Sequence, residues 1–154
     1  MTQPDISYTM QNLSQFMYGP KRSHMKRALR VVKYLKNARG LGILLSSKPS
    51  SQLIVYCDAN CATCPMTRRS VSGFVVKLGD SLISWKSNKQ STMSRSSAEA
   101  EYRSMANAIA EMVWLIGMCE ELKVKQNLLV KLYCDSKASL QIAANPIYHE
   151  RTST

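Results

Sequence analysis

The chain has 154 residues, 45% of them hydrophobic, enough for one cored domain plus an appendage. No apolar run reaches the roughly eighteen residues that a membrane-crossing helix needs, which excludes that class. The net charge of +11 favours a polyanionic partner, nucleic acid before membrane, through release of condensed counterions.

The charge is uneven. Residues 1–52 carry nine Lys or Arg against Asp5 alone, whereas residues 53–154 carry twelve against nine acids. The opening Met1-Thr2-Gln3-Pro4-Asp5 has neither the basic start nor the apolar centre of a secretory signal, so an intracellular location is expected. Five cysteines, Cys57, Cys61, Cys64, Cys119 and Cys134, are an odd number and read as reduced thiols. Cys61-Ala62-Thr63-Cys64 has the spacing of half a zinc knuckle, but no second half follows it.

In chain order, Ile6, Met10, Leu13, Phe16 and Met17 recur at helical spacing and predict a helix from Pro4 to Tyr18, stopped by Gly19-Pro20. Ser23 is placed to cap a second helix running to Asn37, with Leu29, Val32 and Leu35 as its apolar stripe. Lys21, Arg22, Lys26, Arg27, Arg30 and Lys33 surround that stripe. Their single sign predicts a phosphate-facing surface rather than a merely solvated one. Gly42-Ile43-Leu44-Leu45 suggests a short strand, and Ser46 to Gln52 a linker. The expected organisation is a basic helical part, residues 1–52, followed by an α/β domain, residues 53–154.

The second part opens on Leu53-Ile54-Val55-Tyr56-Cys57-Asp58, a β-branched and apolar run that stops at an acid. Ser72 to Leu78 and Ser81 to Lys86, joined by Gly79-Asp80, complete an antiparallel meander. Ser96 then caps a long helix to Glu121, with a stripe at Tyr102, Met105, Ala106, Ile109, Val113 and Ile116. Val130-Lys131-Leu132-Tyr133-Cys134-Asp135 repeats the strand-to-aspartate ending, and a short helix from about Ala138 to Ala144 follows, stopped by Asn145-Pro146. A helix between two such strands allows a crossover that makes them parallel neighbours, with Asp58 and Asp135 at the same end of the sheet. Each aspartate alone could simply close a turn. Repeated, and with glutamates on the helix between, they predict a cation site. Converging carboxylates suit Mg²⁺, and a pair of such ions can promote phosphodiester hydrolysis.

Which glutamate joins them stays open on helical geometry. Glu99 fits a capping box with Ser96, yet Glu99 and Glu101 sit at similar angles on either side of the predicted stripe.

Tyr56-Cys57-Asp58-Ala59, Thr67-Arg68-Arg69-Ser70-Val71-Ser72-Gly73-Phe74, Leu82-Ile83-Ser84-Trp85-Lys86-Ser87, Ser96-Ser97-Ala98-Glu99-Ala100-Glu101-Tyr102 and Cys134-Asp135-Ser136 follow in order. Asn145-Pro146 and His149-Glu150-Arg151-Thr152 close the series. Together these stretches resemble the ribonuclease H region of copia-type retrotransposon Pol polyproteins. Upstream, Pro4-Asp5-Ile6-Ser7-Tyr8, Leu13-Ser14-Gln15-Phe16-Met17 and Ala28 to Lys36 are similar to the end of the preceding reverse transcriptase.

The resemblance implies a ribonuclease H-like mixed sheet, three antiparallel strands and then a parallel fourth, preceded by a short helical appendage. It implies hydrolysis of the RNA strand of RNA/DNA hybrids with two Mg²⁺ (or Mn²⁺) ions. Asp58, Glu101 and Asp135 match the first three catalytic acids, with Glu99 the alternative to Glu101. The hybrid, or other nucleic acid, and the rest of the polyprotein are the implied partners. Two departures stand out. Asn60-Cys61-Ala62-Thr63 replaces an aromatic and a glycine usual after the first aspartate. The chain also stops at Thr154, where the family continues into another helix, a fifth strand and a last helix bearing a fourth acid. The expectation is therefore a truncated domain of low activity, or a catalytically dead remnant that still binds nucleic acid.

Overall fold

The computed structural model describes residues 3–48, 50, 52–64, 66–123 and 129–144. The chain divides into two compact units between Leu44 and Leu45. The stretch from Ser46 to Gln52, expected as linker, goes with the second unit: the Ser46 N–H donates to Ser81 Oγ (2.8 Å), and the Gly79 N–H donates to the Gln52 carbonyl (2.8 Å).

In the first unit a 3-10 turn, Pro4–Ile6, leads into α1, Ser7–Ser14, and α2 spans Arg22–Asn37. Helix α1 ends short of Tyr18, in turns closed by Phe16 N–H to Leu13 and Gly19 N–H to Phe16. The cap of α2 differs from the expected Ser23. Lys21 is the N-cap residue, and its N–H donates to His24 Nδ1 at 3.1 Å while the His24 ring stacks on Phe16, centroids 4.0 Å apart. The strand expected at 42–45 is not formed. Leu44 and Leu45 are exposed and find no partner strand among the described residues.

The second unit is an α/β layer. Strands β1 (Gln52–Asn60), β2 (Val71–Leu78) and β3 (Ser81–Lys89) form the antiparallel meander, helix α3 spans Ser97–Glu121, β4 spans Leu129–Cys134 and α4 spans Lys137–Ala144. The sheet order is β3-β2-β1-β4, and β4 is parallel to β1 with Tyr56 opposite Tyr133 and Cys57 opposite Cys134. The β2–β3 turn needs Gly79. Its φ is +57°, and a Cβ there would stand 2.6 Å from Ser50 Cβ.

Helix α3 packs on one face of β1 and β2. Leu53, Val55 and Cys57 from β1, Phe74 and Val76 from β2, and Met105, Ala108 and Leu115 from α3 form the core. Tyr56 and Tyr133 project from the opposite face, stacked at 5.2 Å between ring centroids.

The buried face of α3 corrects the predicted stripe. Glu101, Ser104, Met105, Ala108 and Leu115 are buried, whereas Ala106, Ile109 and Val113 are exposed. The core-facing side is therefore turned by about one residue, or ~100°, from the one read by hydrophobicity. Small and polar residues are buried here because the helix lies close against the sheet. The stop expected at Asn145-Pro146, and the expectation of a missing fifth strand and last helix, fall outside the described residues.

Candidate functional site

The parallel pairing of β1 and β4 brings the Asp58 and Asp135 ends of the two strands side by side. Just beyond β4, Ser136 Oγ accepts from the Ser139 N–H (3.2 Å) and opens α4, so Asp135 sits in a hydrogen-bonded strand-to-helix turn. Both aspartates are exposed. From α3, Glu101 comes near enough to feel both charges, and it is only 7% exposed.

Glu101 Oε1 accepts from the Ala59 N–H at 3.1 Å. Its Oε2 is buried with no hydrogen-bond partner. The neighbours explain why. Asp58 stands close enough to share a hydrogen bond with Glu101 only if one of the two carries a proton, and Asp135 adds a second negative charge. Burial first, and then the Asp58 and Asp135 charges, push the Glu101 pKa up against the lowering effect of the Ala59 N–H. Ligand atoms of Glu101, Cys134 and Asp135 all lie within 4.8 Å of one another.

Glu99 goes elsewhere. Its N–H donates to Ser96 Oγ (3.1 Å), its Oε2 accepts from the Arg95 N–H (2.7 Å), and its Oε1 pairs with Arg103 (2.6 Å). The ~100° turn of the buried face accounts for this: it carries Glu101 onto the sheet-facing side and swings Glu99 to the far side.

A buried carboxylate with an unsatisfied oxygen between two more acids is costly unless a cation or a proton compensates. Asp58, Glu101 and Asp135 offer only carboxylate oxygens, a donor set that fits Mg²⁺ or Mn²⁺. Cys134, which sequence reasoning did not place here, has its thiol 3.3 Å from Ser139 Oγ. Strand alternation was the available signal, since it puts Cys134 on the helix side with Cys57.

Two further groups escaped the sequence reading. Ser104 Oγ donates to the Asp58 carbonyl (2.7 Å). Buried Gln90 donates to Ser72 Oγ (2.7 Å) and to the Ala100 carbonyl (2.9 Å) and accepts from Ser94 (2.7 Å), tying the first turn of α3 to the sheet. No sequence motif marks either one. The basic residues Lys21, Arg22, Lys26, Arg27, Arg30 and Lys33 lie along α2 and its cap in the first unit. Arg27 and Arg30 line a cleft of about 500 Å³ there, together with Asp5 and Tyr34.

Comparison with known proteins bears on the whole chain. It is 39% and 38% identical, over 97% of its length, to the retrovirus-related Pol polyproteins from transposons RE1 and RE2 of Arabidopsis thaliana. It is 31% identical over 98% of its length to that from transposon TNT 1-94 of Nicotiana tabacum. The chain is a relative of copia-type transposon Pol polyproteins. It spans about a tenth of the length of these relatives. No family model matches it, and no solved structure does. Among the described residues of this Pol relative, no helix is long and apolar enough to cross a membrane.

Proposed function

We propose that the sheet unit of this Pol-related chain carries a ribonuclease H-type site that hydrolyses the RNA strand of RNA/DNA hybrids. One observation carries the reading: the buried, unsatisfied Glu101 Oε2 beside Asp58 and Asp135. The mixed four-strand sheet is compatible with such a fold. The relatives support a retroelement origin and a place within a longer polyprotein.

In this reading Asp58, Glu101 and Asp135 hold divalent cations, Mg²⁺ or Mn²⁺, two when the site is loaded. The bound cations would supply an activated water and charge neutralisation at the scissile phosphate. Glu101 is held by the Ala59 N–H, which leaves its second oxygen without a donor and available to a cation. The exposure of Asp58 and Asp135 keeps that side open to a phosphodiester backbone. Hybrid recognition reads phosphates and 2′-hydroxyls rather than bases. The α2 basic residues Lys21, Arg22, Lys26, Arg27, Arg30 and Lys33 contact phosphates in the same reading, and a hybrid substrate places the work inside the cell.

The test is cleavage of a labelled RNA/DNA hybrid by the purified chain with Mg²⁺ or Mn²⁺. Asp58→Asn and Asp135→Asn should each abolish turnover and leave hybrid binding in place. Cleavage that survives either variant, or that persists in EDTA, refutes the reading. Binding without any cleavage would instead favour a nucleic-acid-binding remnant. Its affinity should then fall steeply with salt, and less steeply once the α2 lysines and arginines are replaced.

A further inference from the structure

One peptide group joins two of the three acids. Its carbonyl belongs to Asp58 and accepts from Ser104 Oγ at 2.7 Å. Its N–H belongs to Ala59 and donates to Glu101 Oε1 at 3.1 Å. Glu101 and Ser104 are three residues apart on α3, so adjacent positions on one helix face grip the two ends of a single peptide plane. Ser104 is fully buried. Its hydroxyl also lies 3.3 Å from the Gly73 carbonyl, but one proton serves one strong bond, and the shorter contact is to Asp58.

We infer that Ser104 is a positioning residue for the carboxylate site: by holding the Asp58–Ala59 peptide against α3, it sets Asp58 and Glu101 in register for a shared cation. The inference rests on the carboxylate-site reading above and adds to it a residue that touches no cation itself. The peptide plane is rigid. With its carbonyl end anchored, its N–H stays aimed at Glu101, and the Cα of Asp58 stays fixed relative to the helix. Without the hydroxyl, the pairing of β1 with β2 still holds the peptide in the sheet, but its tie to α3 is lost, so Glu101 on the helix and Asp58 on the strand are no longer set against each other. Groups that orient ligands from outside the coordination sphere commonly change affinity about 10- to 100-fold when removed. The remaining contacts of α3 with the sheet, through Gln90 and the apolar core, do not depend on Ser104. The fold should therefore survive its loss.

The experiment titrates Mn²⁺ into the full chain and follows the free-ion electron paramagnetic resonance signal, with unfolding in EDTA measured in parallel. Ser104→Ala should weaken Mn²⁺ binding about ten-fold or more. Ser104→Thr, which keeps the hydroxyl, should retain wild-type affinity even if Ser104→Ala folds poorly. Ala108→Gly weakens the same helix one turn further along without touching the peptide, and it should bind Mn²⁺ like the wild type. Ser104→Ala binding like the wild type overturns the inference alone. So does an equal loss in Ala108→Gly, which would make the effect one of general stability. A wild-type chain that binds no Mn²⁺ overturns the carboxylate site itself and this inference with it.

Discussion

Glu101→Gln should stabilise the cation-free chain. The wild-type side chain buries a carboxylate oxygen that finds no donor and lies near two other acids. The amide keeps the shape and the Oε1 acceptor for the Ala59 N–H, and it turns the second position into a donor aimed at carboxylates. Removing one unsatisfied buried acceptor recovers about 1–3 kcal/mol. In a unit of this size each kcal/mol moves the midpoint by a few degrees, so the Tm in EDTA at pH 7 should rise by roughly 5–15 °C.

The pH dependence follows from the direction of the shift. Burial raises the folded-state pKa of Glu101 above its unfolded value, so the folded state takes up the proton first as pH falls. The wild-type penalty is thus full above the folded-state pKa and fades as pH drops through it. The Tm gap between variant and wild type should close in acid. Mg²⁺ at about a thousand times Kd should reverse the order, because it adds about 4.1 kcal/mol to the wild type, more than the variant's gain, and nothing to a variant that cannot hold it. Differential scanning fluorimetry across pH, with and without Mg²⁺, reads all of this. A Glu101→Gln chain less stable than wild type in EDTA at pH 7, or a gap that ignores pH, would refute the reasoning.

Other variants separate the neighbouring roles. Glu99→Gln should cost about 1 kcal/mol through its Arg95 N–H and Arg103 bonds, in urea unfolding, and leave cation binding intact. Gln90→Ala removes three buried hydrogen bonds and should cost on the order of 2–4 kcal/mol; a loss below 1 kcal/mol would show that they are replaceable. Hydrogen bonds from Thr67 and then Lys89 lower the Cys64 thiol to about 6, whereas burial and then Cys134 push Cys57 up to about 12. Iodoacetamide should therefore label Cys64 before Cys57 at pH 7. The Cys64 rate should fall as pH drops through about 6, where the thiolate takes up its proton, and mass spectrometry of the labelled peptides gives both results.

The sequence by itself determined the elements of the sheet unit. The β-branched and apolar runs in Leu53–Asp58 and Ser72–Leu78, the Gly79-Asp80 turn and the Ser96 cap are local signals, set by strand burial and by backbone bonding. The strand–helix–strand order also carried the parallel β1–β4 pairing, because a crossover of that length returns the chain in the same direction. The choice between Glu99 and Glu101 was not legible in helical geometry, and only the family resemblance favoured Glu101. It turned on which side of α3 meets the sheet, and Ile109 and Val113 on the exposed side pulled the apparent stripe ~100° away from Ser104 and Ala108 on the buried side. Hydrophobicity alone cannot find a helix face that buries serine, alanine and a carboxylate. Only close packing on β1 and β2 selects it, where small side chains let the helix approach and the Asp58–Ala59 peptide supplies the polar partners. The fate of residues 46–52 was decided the same way, by bonds to Gly79 and Ser81 that are remote in sequence and met only once the sheet had formed.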